Sequence, residues 1–273
     1  MQKLSTFYDH VSDIAKQEGI SMPEALETVK ALGIDLLEVS TNNLGEDFRA
    51  VGEEIARAGL AVSTIPAYFN FGTDTDVEKQ SLPVLEAAGA LGVGQILVIP
   101  GFIAPEVTDA AERKAQRDSM AVCINRLGEL AAKYGVSMIM EDFDNQTAPF
   151  ATAEEVRGFL DDCPALDCCF DTGNFRYMAG DELEAYALLR DRIRYVHLKD
   201  RAYAGAPGEW APAAIDGQKL YASPVGYGEM KIKKILELLK ADGYTGPLSI
   251  EHYGAPNMLE YLKKSAEWVK SQM

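Results

Sequence analysis

Four short apolar runs decide the fold: SMIMED (137–142), DCCFDTGN (167–174), IRYVHLKD (193–200) and PLSIEHYG (247–254). Each run predicts a buried β-strand, and each carries near its end one side chain that can bind a divalent metal. These side chains are Glu141, Asp171, His197 and Glu251. In a parallel β/α barrel all strand ends lie on one face, and that face holds the active site. We therefore expect the four side chains to converge.

Strand-like and helix-like segments also alternate before these runs. The earlier strand candidates are KLSTFY (3–8), DLLEVS (35–40), LAVSTIPAY (60–68) and QILVIPG (95–101). They are apolar runs rather than clean alternations, as expected when both faces of a strand are buried. Eight strands followed by helical patterns in 273 residues predict an α/β fold, a single (β/α)₈ TIM barrel of the usual size of roughly 250 residues. We expect one domain over residues 1–273.

An open doubly wound sheet is the alternative fold. It is disfavoured because no GxGxxG motif opens a helix after the first strand, and because eight units favour closure. The first predicted helix begins at Ser21 or Met22 and ends at Gly33, with Pro23 at an early helical position.

The charge balance excludes several classes of partner. The chain has 26 Lys and Arg against 42 Asp and Glu, a net charge of −16, whereas nucleic-acid binding calls for basic surfaces. An anionic membrane surface is disfavoured for the same reason. The first residues show no signal-peptide pattern, and no apolar run approaches the ~20 residues of a membrane span. We expect a cytoplasmic protein, and a homo-oligomer remains compatible with the sequence.

The four cysteines do not form a metal or disulfide pattern. No CxxC pair is present among them, and we expect reduced, mostly buried thiols. They are Cys123, Cys163, Cys168 and Cys169.

The order of several fragments resembles the xylose isomerase-like TIM barrel superfamily, often labelled sugar phosphate isomerase/epimerase. The resemblance runs over the whole chain through strand order. Ketose 3-epimerases, hydroxypyruvate isomerase and inosose dehydratase are members. The fragments are MED (140–142), FDTGN (170–174), HLKDR (197–201), PVGYGEM (224–230) and IEHYG (250–254).

The resemblance implies one divalent metal bound by four residues from the last four barrel strands. Carried over to this chain, the ligands are Glu141, Asp171, His197 and Glu251. This mixed O/N donor set suits Mn²⁺, Mg²⁺ or Co²⁺ better than a structural zinc. Mn²⁺ is the favoured cofactor, with Mg²⁺, Co²⁺ and Zn²⁺ as alternatives.

The chemistry of a ketose explains why such a site needs two glutamates. Removing the proton beside a carbonyl forms an enediolate, whose charge a metal spreads as a Lewis acid. One carboxylate takes the proton, and a second acid on the opposite face returns it. The resemblance to epimerases gives these catalytic roles to Glu141 and Glu251. The predicted function is a divalent-metal-dependent sugar isomerase or epimerase, an enzyme of carbohydrate metabolism that acts on a keto-sugar or polyol.

A metal-dependent lyase or dehydratase acting on a keto-inositol or a 3-keto-glycoside is the alternative activity. It uses the same enolate but expels a β-substituent. The alternative stays open because Asn174 stands where epimerases often carry a titrating His. A sugar-binding protein without turnover is disfavoured by the glutamate pair, and a DNA endonuclease by the charge and by a total of three His.

Four residues are predicted to bind the carbohydrate substrate. Asn174 can hydrogen-bond a substrate oxygen. Lys199 lies two residues after His197, so both point to the barrel axis; its alternative is a rim salt bridge with Asp200 or Asp171. Arg201 is weaker, because a solvated rim charge is its alternative.

The fourth, Trp210, lies in the long segment 200–229 after the seventh strand. This segment is rich in Ala, Gly and Pro and carries aromatic residues, and long loops of this kind are often functional lids. We predict a lid that closes over the substrate, with a plain insertion as the alternative. No cation cluster accompanies its glycines, which favours a substrate without phosphate.

Three further residues are predicted to lie outside the set that binds metal or substrate. Glu38 ends the second strand and is expected to support the site. His252 follows Glu251 and should face away from it as a packed or supporting residue. His10, just after the first strand, is expected on the surface, with a position lining the site as the alternative.

Overall fold

Parallel strands form the centre of the molecule. The computed structural model describes residues 2–206 and 208–273. Within these residues the strands are β1 Leu4–Phe7, β2 Leu36–Glu38, β3 Ala61–Tyr68, β4 Gln95–Ile99, β5 Ser137–Met140, β6 Leu166–Asp171, β7 Ile193–Ala202, β8 Tyr221–Ser223 and β9 Leu248–Glu251. All of the predicted strands are present.

The sheet closes on itself. Neighbours pair in chain order from β1 to β7, and β9 fills the gap between β7 and β1. These eight strands are parallel, whereas β8 pairs antiparallel with the end of β7 and lies outside the barrel. The predicted TIM barrel is therefore confirmed.

Helices surround the barrel. They are α1 Tyr8–Glu18, α2 Met22–Ala31, α3 Thr41–Leu44, α4 Phe48–Arg57, α5 Val77–Leu91, α6 Ala110–Tyr134, α7 Ala153–Asp162, α8 Glu182–Leu189, α9 Ile232–Ala241 and α10 Met258–Gln272. Two of them begin with complete capping boxes, in which an N-cap hydroxyl and a glutamate three residues later satisfy free N–H groups. The pairs are Ser21 with Glu24 and Thr152 with Glu155.

Helix α1 has no counterpart in the sequence-based prediction. It starts directly after β1, and its N-cap residue Phe7 provides no side-chain hydrogen bond. The usual start signal is therefore missing. The helix is fixed instead by packing, since Val11 and Ile14 are fully buried. The prediction for α2, which begins at Met22, is correct.

The expectation that His10 lies on the surface is wrong. His10 is fully buried in α1, and its Nε2 accepts a hydrogen bond from the backbone N–H of His252, 2.8 Å away. Burial lowers the pKa of His10 to about 4, so the ring is neutral near pH 7 and acts as an acceptor.

Hydroxyl groups fill the barrel interior beneath the strand ends. The Ser63 hydroxyl lies 3.1 Å from the Ser5 hydroxyl and 2.9 Å from the Tyr195 hydroxyl. The Tyr195 ring meets the His197 ring edge to face, with centroids 5.7 Å apart. This layer forms a polar floor below the candidate site.

Segment 200–229 has more structure than a free loop. Its start continues β7 to Ala202, and β8 returns as a hairpin strand with Arg201 opposite Ala222. A further antiparallel bridge joins Ala213 and Lys219.

Two other features bear on the predictions. All four cysteines are buried and free, as the sequence predicts. Among the described helices, none combines the length and hydropathy needed to cross a membrane.

Candidate metal centre

The four predicted ligands come together on one face of the barrel. Asp171 and Glu251 end β6 and β9, Glu141 follows β5, and His197 lies within β7, whose last residues pair with β8. Each offers one ligand atom, and these atoms all lie within 4.8 Å of one another. All four side chains are buried; Glu141 has the largest exposed fraction, 8%. The structure thus brings the predicted set together, while metal binding by these residues stays a prediction.

Asp171 presents one oxygen to the centre. Its Oδ1 accepts hydrogen bonds from the backbone N–H groups of Gly173 and Asn174, each at 2.7 Å. Its Oδ2 is buried and has no hydrogen-bond partner among the described residues. Burial, and then the nearby carboxylates, outweigh the opposing charge of Lys199 and raise the pKa of Asp171 to about 8. A buried oxygen without a partner fits a metal ligand.

His197 lies between carboxylates on both sides of its ring. Its Nδ1 is 2.7 Å from Oε2 of Glu141 and 3.2 Å from Oε2 of Glu251, and its Nε2 is 3.0 Å from Oε1 of Glu38. Burial opposes a charge on the ring, but the surrounding acidic groups outweigh it and raise the pKa of His197 well above its ordinary value. Two carboxylates converging on Nδ1 form an arrangement that a divalent cation would stabilise.

A second cluster shares part of this set. Glu141, Cys169 and His197 also place their ligand atoms within 4.8 Å of one another. Burial raises the pKa of the Cys169 thiol well above its usual range, which disfavours the thiolate that binds metals. The carboxylate set therefore fits a divalent metal better.

The DTGN sequence (171–174) builds one wall of the centre. The Thr172 hydroxyl donates to the Lys199 carbonyl and accepts from the Lys199 N–H, both at 2.9 Å. A Cβ on Gly173 would lie only 2.7 Å from the Lys199 carbonyl oxygen, so glycine permits this close approach. The motif thereby fixes β6 against the end of β7.

Asn174 and Lys199 form a buried polar pair in the wall. Lys199 Nζ donates to Asn174 Oδ1 at 2.6 Å, and the Asn174 amide donates to the Asp142 carbonyl at 2.9 Å. Lys199 also lies 2.6 Å from Glu251 Oε1 and 3.3 Å from Asp144 Oδ2. Among the described residues Lys199 thus pairs with Asp144 and Glu251, so the alternative of a rim salt bridge with Asp200 or Asp171 is wrong.

The charge of Lys199 shapes the electrostatics of the centre. Burial opposes its ammonium form, but Asp144 and Glu251 outweigh burial and raise the pKa of Lys199 well above its ordinary value. Burial likewise opposes ionisation of Glu251, but Lys199 and His197 outweigh it and lower the pKa of this carboxyl. For Glu141 burial dominates, and its pKa is raised. The two glutamates are electrostatically different.

A cavity of about 440 Å³ opens onto the centre. This volume falls in the range of small-molecule sites. Aromatic rings and a polar group of side chains from the first two strand ends line its outer part. These residues include Phe7, Asp9, Ser40, Asn42, Asn43, Tyr68, Phe143 and Tyr253.

Sequence reasoning missed this outer part. Asp9 accepts from the Asn43 amide at 2.8 Å and from the Tyr253 hydroxyl at 3.2 Å. The three residues come from separate strand ends, and no motif joins them. The available signal was their position just after predicted strands.

Arg201 and Trp210 are not among the residues that line the cavity. Arg201 is buried, with its guanidinium over the Tyr177 ring at 5.6 Å and 3.3 Å from the Tyr253 carbonyl. Trp210 is 79% exposed. Indeed, no described residue of segment 200–229 lines the cavity, so the lid is not closed over it here. Substrate binding by these two residues stays a prediction.

The fold and the site together define the class of protein: a TIM-barrel enzyme with a buried centre made of carboxylates and one imidazole. The family model of the Xylose isomerase-like TIM barrel matches residues 26–272. The chain belongs to this family.

Several curated relatives are inosose dehydratases. The inosose dehydratase of Clostridium perfringens is 26% identical over 282 residues, covering 97% of this chain and 93% of the relative. That of Geobacillus thermodenitrificans is 28% identical over 155 residues. This second match covers 54% of the chain and spans about half, 51%, of the relative.

Solved structures share the fold at lower identity. The probable 3-DHS dehydratase involved in petrobactin synthesis from Bacillus anthracis has a TM-score of 0.73 at 15% identity, with 98% of both chains covered. D-allulose 3-epimerase from Methylomonas sp. has a TM-score of 0.74 at 16% identity, covering 100% and 98%. A Xylose isomerase-like TIM barrel protein from Mycobacterium smegmatis in complex with magnesium has 0.66 at 22% identity, covering 92% and 87%.

Proposed function

We propose that this protein is a metal-dependent dehydratase that removes the proton beside a carbonyl group and expels a β-hydroxyl as water. The ion pair between Lys199 Nζ and Glu251 Oε1, 2.6 Å apart, carries the proposal. The other oxygen of Glu251 lies 3.2 Å from His197 Nδ1. Both oxygens of Glu251 are thus engaged. The side-chain contacts of Glu141 with the described residues involve Oε2 only.

This difference between the contacts of Glu251 and Glu141 favours a mechanism with a single base. Inversion at a carbon needs two groups on opposite faces, whereas elimination of water needs only one carboxyl group. Oε1 of Glu141 takes the proton from the carbon beside the carbonyl. The bond to the β-oxygen then breaks, and a carbon–carbon double bond forms. The same carboxyl returns the proton to the departing hydroxyl, so that water leaves and the base is restored.

A divalent metal fits the residues present. Asp171 Oδ2 is a buried oxygen without a partner, and two carboxylates converge on one imidazole nitrogen. Glu141, Asp171, His197 and Glu251 would hold the ion, which supplies Lewis-acid stabilisation of developing negative charge. We favour Mn²⁺, with Mg²⁺, Co²⁺ and Zn²⁺ as alternatives.

Lys199 has an electrostatic role in this proposal. Its charge is sustained by the surrounding acids, and it lies in the cavity wall beside Asn174. A fixed ammonium group there stabilises the oxyanion that forms when the proton leaves. Asn174 orients the ammonium and can bind a substrate oxygen.

The cavity favours an uncharged polyhydroxylated substrate. Among its described lining residues Lys199 is the one cation, and its contacts go to protein groups. A phosphate would find no further cation and would meet the carboxylates. Ser40, Asn42 and Asn43 offer groups that bind hydroxyls. Together with the inosose dehydratase relatives, this supports a keto-inositol.

Epimerisation of a ketose is the second candidate. It is favoured by the presence of both glutamates around one centre. It requires Glu251 to release Lys199 so that an oxygen can act as the second base.

Deuterium exchange and product analysis separate the two activities. The metal-loaded protein is incubated in ²H₂O with a keto-inositol and with a panel of free ketoses. The dehydratase proposal predicts an unsaturated product from the keto-inositol, with no inverted ketose. In Glu141→Gln the rate should fall about 10²–10⁴-fold, the usual contribution of a general base.

Glu251→Gln is the matched variant. At equal metal occupancy it should retain exchange of the substrate proton. Loss of exchange in both variants together with inverted ketose from the wild type would replace the dehydratase by the epimerase. Wild-type exchange rates in Glu141→Gln would remove Glu141 as the base.

A further inference from the structure

Glu38, a buried carboxylate at the end of β2, takes no part in the proposed dehydration. Glu38 is 1% exposed. Neither of its oxygens has a hydrogen-bond partner among the described residues. A polar group buried in this way is costly unless it has a hydrogen-bond partner.

The far side of the His197 ring supplies that partner. Nε2 of His197 is 3.0 Å from Oε1 of Glu38, and it too has no aligned hydrogen bond. The two groups are therefore at ion-pair distance without the angle of a hydrogen bond.

Strand pairing places Glu38 beside Phe7, whose ring contacts the His197 ring. The register between β2 and β3 shifts at this point: Leu37 pairs with Val62, but Glu38 pairs with Thr64. Such irregularities redirect side chains next to functional sites. The extra residue, Ser63, bonds to the Leu37 carbonyl and holds the shift in place.

We infer that Glu38 is a positioning residue that accepts a hydrogen bond from Nε2–H of His197 and leaves the Nδ1 lone pair for the metal. The inference rests on the proposed metal centre. The hydrogen bond at one ring nitrogen decides which nitrogen carries the proton. Carboxylate partners of this kind typically contribute 10–100-fold to metal affinity or activity.

Packing on the ring supports the same orientation. The Phe7 ring meets the His197 ring edge to face with centroids 5.2 Å apart, and the Tyr195 ring does so at 5.7 Å. These contacts fix the plane of the imidazole. Apolar contacts cannot determine which ring nitrogen carries the proton. In the inference, the hydrogen bond to Glu38 does so, because it keeps the proton on Nε2.

The first test uses the wild-type protein. Histidine labelled with ¹⁵N gives signals from only three residues, His10, His197 and His252. With Zn²⁺ bound as a diamagnetic probe, we expect the metal on Nδ1 of His197 and a slowly exchanging proton on its Nε2. A proton on Nδ1, or zinc on Nε2, overturns the inference. Absence of zinc binding would instead overturn the proposed metal centre.

The second test measures Mn²⁺ affinity in variants. Glu38→Gln keeps the size of the side chain and should weaken Mn²⁺ binding about 10–100-fold, with the Nε2–H signal shifted in the zinc form. Glu38→Ala should weaken it further. The control is Glu182→Gln, which alters another buried glutamate that accepts from the Lys231 N–H and should leave affinity unchanged. Wild-type affinity in folded Glu38→Gln overturns the inference, and the ¹⁵N measurement decides if that variant fails to fold.

Discussion

The ammonium of Lys199 and the carboxylate of Glu251 are in direct contact, with Nζ 2.6 Å from Oε1 and both side chains buried. Glu251 is one of four predicted metal ligands, so the contact couples a wall residue to the centre. It also distinguishes Glu251 from Glu141, which forms no ion pair with a lysine among the described residues. In the proposed mechanism, this difference assigns the proton transfer to Glu141.

Replacing Lys199 by Met should slow catalysis more than it affects metal binding. Met fills a similar volume but removes the charge that stabilises the oxyanion, and loss of one such donor typically costs about 10²–10³-fold in rate. Steady-state rates with a keto-inositol at matched metal occupancy measure this. A control is Lys231→Met, which removes a lysine paired with Asp181. Equal rates in Lys199→Met and wild type would exclude a role for Lys199 in the reaction.

His197→Ala and Asp171→Ala should each lose bound metal. Each change removes one of four ligands from the buried centre. Metal analysis of purified proteins after dialysis gives the readout. Cys169→Ser is the matched comparison: it should retain metal, because the carboxylate set does not include the thiol. Full metal content in both alanine variants would mean that the centre is elsewhere.

Asp200→Asn should destabilise the fold by about 1–3 kcal/mol. Asp200 is buried and accepts four backbone N–H groups, two on each oxygen, from Arg201 and Met230 and from Gly226 and Gly228. The side-chain NH₂ group of Asn would face two of these backbone N–H groups, and it cannot accept their hydrogen bonds. Urea unfolding measures the change in free energy, and Asp216→Asn on the exposed surface is the control. An unchanged midpoint would show that the backbone finds other partners.

Trp210 should report on closure of segment 200–229, if this segment covers the substrate. The indole is now 79% exposed, so its emission should shift to shorter wavelength when a substrate analogue binds in the presence of metal. The chain has two tryptophans, and Trp210→Phe should abolish the shift. A shift that persists in this variant would come from Trp268 and would argue against a lid at Trp210.

The apolar runs and their order along the chain were sufficient to predict the barrel and the convergence of the four predicted ligands. The residues concerned occupy strand ends, and a parallel barrel brings these ends to one face whatever lies between them. Lys199 was placed correctly in the cavity because it is two residues beyond His197 on the same strand.

Other features depend on contacts that no local pattern contains. His10 is buried through a bond to the backbone of His252, 242 residues away. Arg201 was expected near the rim, but it is covered by Tyr177 and Tyr253 from other parts of the chain. Glu38 was expected to support the site, but the sequence of β2 does not reveal that its carboxylate lies 3.0 Å from Nε2 of His197.

Helix α10 supports the candidate centre through hydrogen bonds, and it is synthesised after all four predicted ligands. Ser265 in this helix binds His252 at 2.7 Å and the Val225 N–H at 2.8 Å, next to Glu251 and to the turn held by Asp200. Domains emerge from the ribosome with the N-terminal part first, so three ligands are made before β9 closes the barrel against β1. A metal encountered during synthesis meets an incomplete site. Selection of the ion is therefore expected to follow the docking of β9 and α10, when all four predicted ligands and their support are in place.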